Sequence, residues 1–462
     1  MSTRQKIMPL WIFVFFIFSI GCQAPGGGPL RVCPENPRYF CDGNGQVIYL
    51  TGSHTWNNLV DMSSDSSPAF DFEAYLEWME SYNHNFIRLW AWELLNWDTR
   101  GNREDDAKVH FVSPHPWART GPGKAFDGLP KFDLDRFDEE YFRRLRNRIS
   151  AAQKRGIYVS VMLFEGWGMQ FSPDAWRNHP FHPDNNINGI DGDVNGDGMG
   201  LEIHTLVDSQ ITALQESYVT KVIDTVNDFD NVLYEISNEN HPPSTPWQYH
   251  MIRYIKAVEK NRKNQHPVGM TFQYRGGSNE TLFKSPADWI SPNAEGGYRD
   301  DPPAADGRKV VITDTDHLWG IGGNHKWVWK SFTRGMNVLF MDPYDGLVLK
   351  KSYDPEWAEP LRKSLGYARA YALRMNLIDM KPENLASSHY CLANRGEEYL
   401  VYLPDSTHVQ VDLKDVTGSV EVEWFDPVTG DRIEGEPVAG GTACTFESPF
   451  ESEDAVLYLK RI

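Results

Sequence analysis

Two runs of apolar residues in this chain end on acids. The run Asn231-Val-Leu-Tyr-Glu-Ile-Ser-Asn-Glu-Asn240 delivers Asn238-Glu239, and Lys309-Val-Val-Ile-Thr-Asp-Thr-Asp-His317 delivers Asp314 and Asp316. A third run, Phe86-Ile-Arg-Leu-Trp90, carries Arg88 near its end. Two carboxyls facing each other across a cleft can split a glycosidic bond. One stays protonated and gives its proton to the leaving oxygen; the other is ionised and acts as nucleophile, or as base to a water. Different surroundings hold the two pKa values apart, and Arg88 is the candidate cation beside the ionised partner. An Asn-Glu pair alone is weak, because such pairs also cap helices. A lone arginine is more often a structural ion-pair partner. Their joint placement at the ends of three strands is what points to a site.

Further candidates lie close to strand ends. His54, Trp56 and Asn57 follow the first strand and are candidates for lining a sugar subsite, with a loop turn around a buried Trp as the plainer reading. His317 and Trp319 have the same two readings. Glu165-Gly-Trp167 closes the third strand, with Glu165 either a substrate contact or an acid behind the site. A separate stretch, Asp191-Gly-Asp193-Val-Asn195-Gly-Asp197-Gly-Met-Gly-Leu-Glu202, places oxygen donors at the spacing of a twelve-residue calcium loop. An entering helix is missing, so a full helix-loop-helix calcium motif is not expected. The alternatives are a calcium-stabilised loop and an acidic, glycine-rich surface loop.

These residues need a scaffold that gathers strand ends. Between about residues 45 and 345, short apolar runs alternate with amphipathic helical stretches, the pattern of parallel βα units. The expected strands are Val47–Thr51, Phe86–Trp90, Ile157–Phe164, Val232–Ser237, Val268–Gln273, Trp289–Pro292, Val310–Thr313 and Val338–Met341. Helices are expected at Phe72–Tyr82, Glu139–Arg155, Ser209–Asn227, Trp247–Asn261 and Glu356–Leu377. Eight such units predict an α/β fold, a (β/α)8 barrel whose reactive groups sit at the C-terminal ends of the strands. Beyond residue 383 the period changes to two, at Tyr399–Leu403, Val409–Leu413, Val420–Phe425 and Ala455–Lys460, predicting a small antiparallel β-sandwich.

With Asn238-Glu239 closing strand four, Arg88 in an Asn85-Phe-Ile-Arg context and an acid closing strand seven, the chain resembles the retaining (β/α)8 glycoside hydrolases of clan A. The resemblance implies Glu239 as acid/base, Asn238 as ligand of the sugar 2-hydroxyl, and Asp314 as nucleophile, with Asp316 the alternative on the same strand face. It implies no required cofactor. The C-terminal segment, with its Trp424-Phe-Asp-Pro-Val-Thr-Gly430 turn, looks like the small β domain appended to apiosidase-like members. One departure stands out. The clan uses Glu on strand seven, and Asp sets its carboxyl about 1.5 Å further back. A wider gap admits a water and favours inversion. Asp342, after strand eight, stands where the clan commonly has Trp.

Bulk properties narrow the classes. The formal charge of −19 argues against nucleic acid and against long-range attraction of polyanions, although a local basic patch can overcome the latter. Aromatic residues make up 13% of the chain, with 16 Trp, an excess that suits stacking on sugar rings as well as a large core. Arg4 and Lys6, the apolar run Met8–Ile20 and Gly21-Cys22 read as an export leader ending at a lipoprotein cysteine. The expected organisation is a signal peptide at 1–21, a tether at 22–32, a barrel at 33–382 and a β domain at 383–462. The protein is expected to be exported, touching a membrane only through lipid on Cys22. Export permits disulfides, and sequence proximity suggests Cys33–Cys41 and Cys391–Cys444. Two rival functions remain: a non-catalytic carbohydrate-binding lipoprotein on a degenerate barrel, and a metal-dependent barrel hydrolase or lyase using His54, the aspartates and the calcium-like loop.

Overall fold

The computed structural model describes residues 27–63, 69–100, 108–344, 346 and 355–462. The leader and Cys22 lie outside them.

Eight parallel strands form the core: β1 (Thr51–His54), β2 (Phe86–Leu89), β3 (Tyr158–Glu165), β4 (Val232–Asn238), β5 (Val268–Thr271), β6 (Trp289–Ser291), β7 (Val310–Asp314) and β8 (Asn337–Met341). Their hydrogen-bonded order runs from β1 through β8, β7, β6, β5, β4 and β3 to β2. Nearly every residue of these strands is buried, as expected for a sheet covered on both faces. The ring closes between β1 and β2 through Asn85, whose backbone N–H donates to Thr51 O at 2.9 Å and whose side chain adds two bonds. Asn85 accepts from Thr51 N–H at 3.0 Å and donates Nδ2 to Tyr49 O at 2.9 Å. Gly52 permits that closure, because a Cβ there would stand 2.3 Å from Phe86 O.

Helices between the strands bury one stripe each. Helix α1 (Phe72–Ser81) starts at an Asp71 cap, α2 (Glu139–Lys154) at Asp138 and α3 (Ser209–Val226) at Asp208, whose carboxylates accept the first free N–H groups. In α2 the buried Tyr141, Phe142, Leu145, Arg148, Ile149 and Ala152 follow the helical repeat against the barrel. Helices α4 (Thr245–Glu259), α5 (His325–Thr333) and α6 (Pro355–Arg374) complete the outer layer described here.

The first strand differs from expectation. Val47–Ile48 belongs to a three-stranded antiparallel sheet with Phe40–Cys41 and Arg31–Val32, and the barrel strand begins only at Thr51. This sheet caps the N-terminal ends of the barrel strands, where Leu30 and Phe40 pack with Phe86, Leu233, Trp289, Val310 and Leu339. Each such apolar side chain contributes about 1.5–3 kcal/mol by leaving water. Cys33–Cys41 is a disulfide within the cap. Ordered packing thus reaches back to Leu30, inside the stretch expected to be tether.

The C-terminal region sets a six-stranded antiparallel sheet beside a two-stranded one, His408–Asp412 with Ala443–Glu447. It docks on α5 and α6: Trp329 meets Tyr402 and Phe425, and Tyr371 donates to Glu423 at 2.7 Å. The expected Cys391–Cys444 bond is absent, and both thiols are free. Cys391 lies buried in the larger sheet, whereas Cys444 on the smaller one turns its sulfur 3.8 Å from the carbonyls of Ala439 and Thr442.

Candidate active site

The C-terminal ends of the strands open into one cavity of about 970 Å³. Trp90 follows β2, Glu165 ends β3, Asn238 ends β4 and Glu239 follows it, Phe272 follows β5, Asp316 follows β7 and Met341 ends β8; all line it.

Beneath its floor Arg88 is 1% exposed, and a cation so buried must be paired. Its Nε and Nη2 clasp Glu235 at 2.8 and 2.6 Å, and Nη2 also donates to Asn238 Oδ1 at 2.7 Å. Nη1 donates to Asp314 at 3.0 Å and to Asp316 at 3.1 Å. The guanidinium also lies 4.9 Å from the Trp90 ring centroid.

The two strand-seven aspartates are placed differently. Asp314 is 1% exposed and does not reach the cavity wall. Its Oδ1 accepts from Asp316 N–H at 3.0 Å, capping the short helix Thr315–Trp319, and His54 Nε2 lies 3.1 Å away. The Trp90 indole N–H donates to His54 Nδ1 at 2.7 Å, so the neutral imidazole carries its proton on Nε2 and donates to Asp314. Burial opposes ionisation of Asp314, but His54 and Arg88 outweigh it and hold the carboxyl far below the usual carboxylate range. Asp316 faces the cavity with Arg88 as its cation. Burial and the neighbouring Asp314 charge push its pKa up to about 7, against the pull of Arg88.

Glu239 faces the same cavity and, among the described residues, makes no ion pair. Burial, then Asp316 and Glu165, raise its pKa well above the ordinary value. Its φ of 41° is left-handed, a strain of order 1 kcal/mol for a non-glycine residue. Gln170 Nε2 holds the Glu239 carbonyl at 2.9 Å. Gly166 admits the turn, since a Cβ there would come 2.4 Å from Asn240 Cα. Asn238 is oriented from below: its Oδ1 accepts from Arg88 and lies 3.3 Å from His317 Nε2, which turns Nδ2 away from the guanidinium. His317 Nδ1 in turn lies 2.7 Å from Ser291 Oγ.

Glu165 is a third cavity carboxyl, with its pKa raised to about 8 by burial although Gly168 N–H and Asn238 contribute hydrogen bonds that lower it. Glu93 lies behind it, accepting Glu165 N–H at 2.8 Å. His179 and His204 approach Glu93 at 3.4 and 3.2 Å, and they hold its pKa near 2 although burial acts the other way.

Of the residues named from sequence, Glu239, Asp316, Asn238, Trp56, Glu165, Trp167, His317 and Trp319 line the cavity. Arg88, Asp314, His54 and Asn57 are buried and are not among its lining residues. His54 and Arg88 therefore serve the carboxylates rather than a sugar subsite, and Asn57 is within 3.5 Å of Thr55 Oγ1 in its own turn. Asp342 is structural, forming a buried pair with Arg362 at 2.7 Å. Sequence reasoning missed Glu235, although a charged residue inside an apolar strand signals a buried partner. It also missed Trp92 and Trp97, which a dense aromatic stretch directly after β2 could have indicated, and Arg275 on the far wall.

Away from the cavity, carboxylate oxygens of Asp193, Asp197 and Glu202 lie within 4.8 Å of one another. Asn195 joins them through Asp197 at 3.1 Å, whereas Asp191 instead accepts the N–H of Asp193 at 3.2 Å.

Comparison with known proteins places this geometry in a wider set. Residues 77–274 match a family described only as a domain of unknown function, DUF6298, and residues 376–460 match a putative collagen-binding domain of a collagenase. No curated protein sequence matches the chain. A glycoside hydrolase family 5 structure from Bacteroides vulgatus superposes with a TM-score of 0.64 at 12% identity, covering 96% of this chain and 95% of that one. A putative glycoside hydrolase from the same organism gives 0.63 at 15%, with 95% and 83% covered. A third structure, described as a glycoside hydrolase, gives 0.62 at 13%, with 94% and 97% covered. The chain has the fold of these structures, barrel and C-terminal β domain together.

Proposed function

We propose that this protein is a glycoside hydrolase in which Glu239 is the acid/base and Asp316, rather than Asp314, is the nucleophile. The observation that carries the reading is that Glu239 and Asp316 line one open cavity, the second on Arg88 and the first, among the described residues, in no ion pair. The carboxyl without a cation keeps its proton near neutral pH, and the carboxyl on a guanidinium gives its proton up first. Glu239 protonates the glycosidic oxygen as the bond to the anomeric carbon breaks, and Asp316 Oδ forms the new bond to that carbon. Glu239 then takes a proton from water, which displaces Asp316 and restores both groups. Asn238, held by Arg88 and His317, presents Nδ2 to the sugar 2-hydroxyl. The substrate is a poly- or oligosaccharide, and the rings of Trp56, Trp92 and Trp167 offer stacking faces for it.

The deciding experiment screens wild type, Glu239→Gln and Asp316→Asn against a glycan panel, with NMR identification of the first-formed anomer. Hydrolysis by wild type, loss in both variants and a retained anomer support the reading. An inverted anomer makes Asp316 the base to a water. Binding without turnover by wild type would establish the degenerate, carbohydrate-binding alternative.

We further propose export through the leader at 1–21, lipidation of Cys22, a bracing role for the β domain docked on α5 and α6, and calcium at the 191–202 loop. The last is supported by the clustered carboxylates and by Glu202 Oε2, a buried atom with no hydrogen-bond partner among the described residues. Among the described residues no helix is long and apolar enough to cross a membrane.

A further inference from the structure

The two long walls of the cavity differ in chemistry. Loops after β1, β2 and β3 supply Trp56, Trp92, Trp97 and Trp167, and the opposite loops after β5 and β6 supply Arg275 and Arg299. We propose that this second wall recognises an anionic substituent on the sugar, a carboxylate of a uronic acid or a sulfate ester, with Arg275 as the principal donor. The inference rests on the glycosidase reading of the cavity and names its substrate class.

Arg275 is exposed at the cavity, yet its guanidinium is held in place. It lies 5.3 Å from the Phe171 ring centroid and 5.5 Å from that of Tyr274, and its Nε is 3.3 Å from Tyr274 Oη. Stacking and one Nε contact fix the plane of the fork, and neither Nη has an acceptor among the described residues. The acid on this wall, Glu295, has its Oε2 engaged on the loop itself, accepting from Asn279 N–H at 2.9 Å and Ser278 Oγ at 3.3 Å, and among the described residues it makes no ion pair with Arg275. Among the described residues Arg299 pairs only with its neighbour Asp300, at 3.2 Å and in an exposed setting, a bond that water and salt weaken. A planar fork with free, pre-oriented donors suits the paired oxygens of a carboxylate or sulfate, and the ordering entropy is already met by the rings. The chain as a whole carries −19, so this wall is a local exception that selects an anion at short range instead of attracting one from afar.

The test is an array of matched oligosaccharides differing only in one group: neutral against uronic acid, and neutral against sulfate ester. Binding is measured with the full chain carrying Glu239→Gln, alone and combined with Arg275→Ala or Arg275→Lys, with melting temperatures to confirm folding. The expected result is a preference of at least about tenfold for the anionic member, from one charge-assisted fork contact. That preference disappears with Arg275→Ala, is only partly kept with Arg275→Lys, and shrinks as salt is added. Preference in the first arm identifies a carboxylate and in the second a sulfate. Equal binding of matched members, no binding of any anionic member, or a preference untouched by Arg275→Ala overturns the inference. Wild-type turnover separates the two ideas. Hydrolysis without anionic preference leaves the glycosidase reading standing and removes this one; anionic preference without hydrolysis does the reverse.

Discussion

Arg88 Nη1 stands 3.1 Å from Asp316 Oδ2, among the described residues the one bond by which the buried cation reaches a carboxyl of the cavity wall. The other carboxylates on the same guanidinium, Glu235 and Asp314, are sealed beneath the floor. With three acids around one guanidinium, the acid holding fewest donors is the easiest to protonate. Asp316 is that acid, and it is the one a substrate can touch.

Asp316→Asn should therefore lower kcat by at least about 10³-fold while the melting temperature stays near that of wild type. Asp314→Asn should lose activity and stability together, because it disturbs the contacts to His54, Arg88 and the N–H of Asp316. Thermal melts beside initial rates separate the two. A folded, fully active Asp316→Asn enzyme would return the role to Asp314.

The pH profile follows from the same pair. The nucleophile must be ionised, so kcat/KM rises through the Asp316 value of about 7. The acid must be protonated, so the rate falls at higher pH as Glu239, raised by burial, loses its proton. With a substrate whose leaving group needs no proton, the alkaline limb should vanish and the rise near 7 should persist.

Arg88→Met leaves Glu235 and Asp314 buried without their cation and should cost about 3–5 kcal/mol, read by denaturant unfolding. Where the variant still folds, the acidic limb of the pH profile moves upward, since Asp316 has lost the charge that favours its ionised form.

Gly166→Ala should be disproportionately harmful for so small a change. Its methyl would push Asn240 Cα, 2.4 Å away, and with it the left-handed turn that aims Glu239. kcat should fall about 10²-fold, with KM less affected, because misaiming costs chemistry more than binding.

Calcium at a hundredfold excess over its Kd would stabilise the chain by about 2.7 kcal/mol, visible as a rise in melting temperature reversed by chelator. Asp193→Ala should abolish the rise, since Asp193 both joins the carboxylate cluster and accepts the N–H of Gly198. A melting temperature indifferent to calcium would leave residues 191–202 an acidic surface loop.

Much of this architecture was legible because strands buried on both faces announce themselves as apolar runs, and reactive groups sit where those runs end. Glu239, Asn238 and Arg88 were found that way. Strand one was misplaced because Val47 and Ile48 are apolar for another reason: they serve the cap at the base, while the true strand, Thr51–His54, is polar and closes on Asn85. Period-two alternation shows that Asp314 and Asp316 share a face, but not that a helix begins between them. Once Thr315–Trp319 turns helical, Asp314 becomes its cap and Asp316 swings to the cavity. Cysteine spacing gave the short-range Cys33–Cys41 bond, and was silent on whether residues far apart in the β domain point at each other.

The cap of residues 30–48 occupies one pole of the barrel and the opening occupies the other. Gly27, the first described residue, lies against Asn44 at the closed pole. A long polymer chain can thus lie across the open one without meeting the cap.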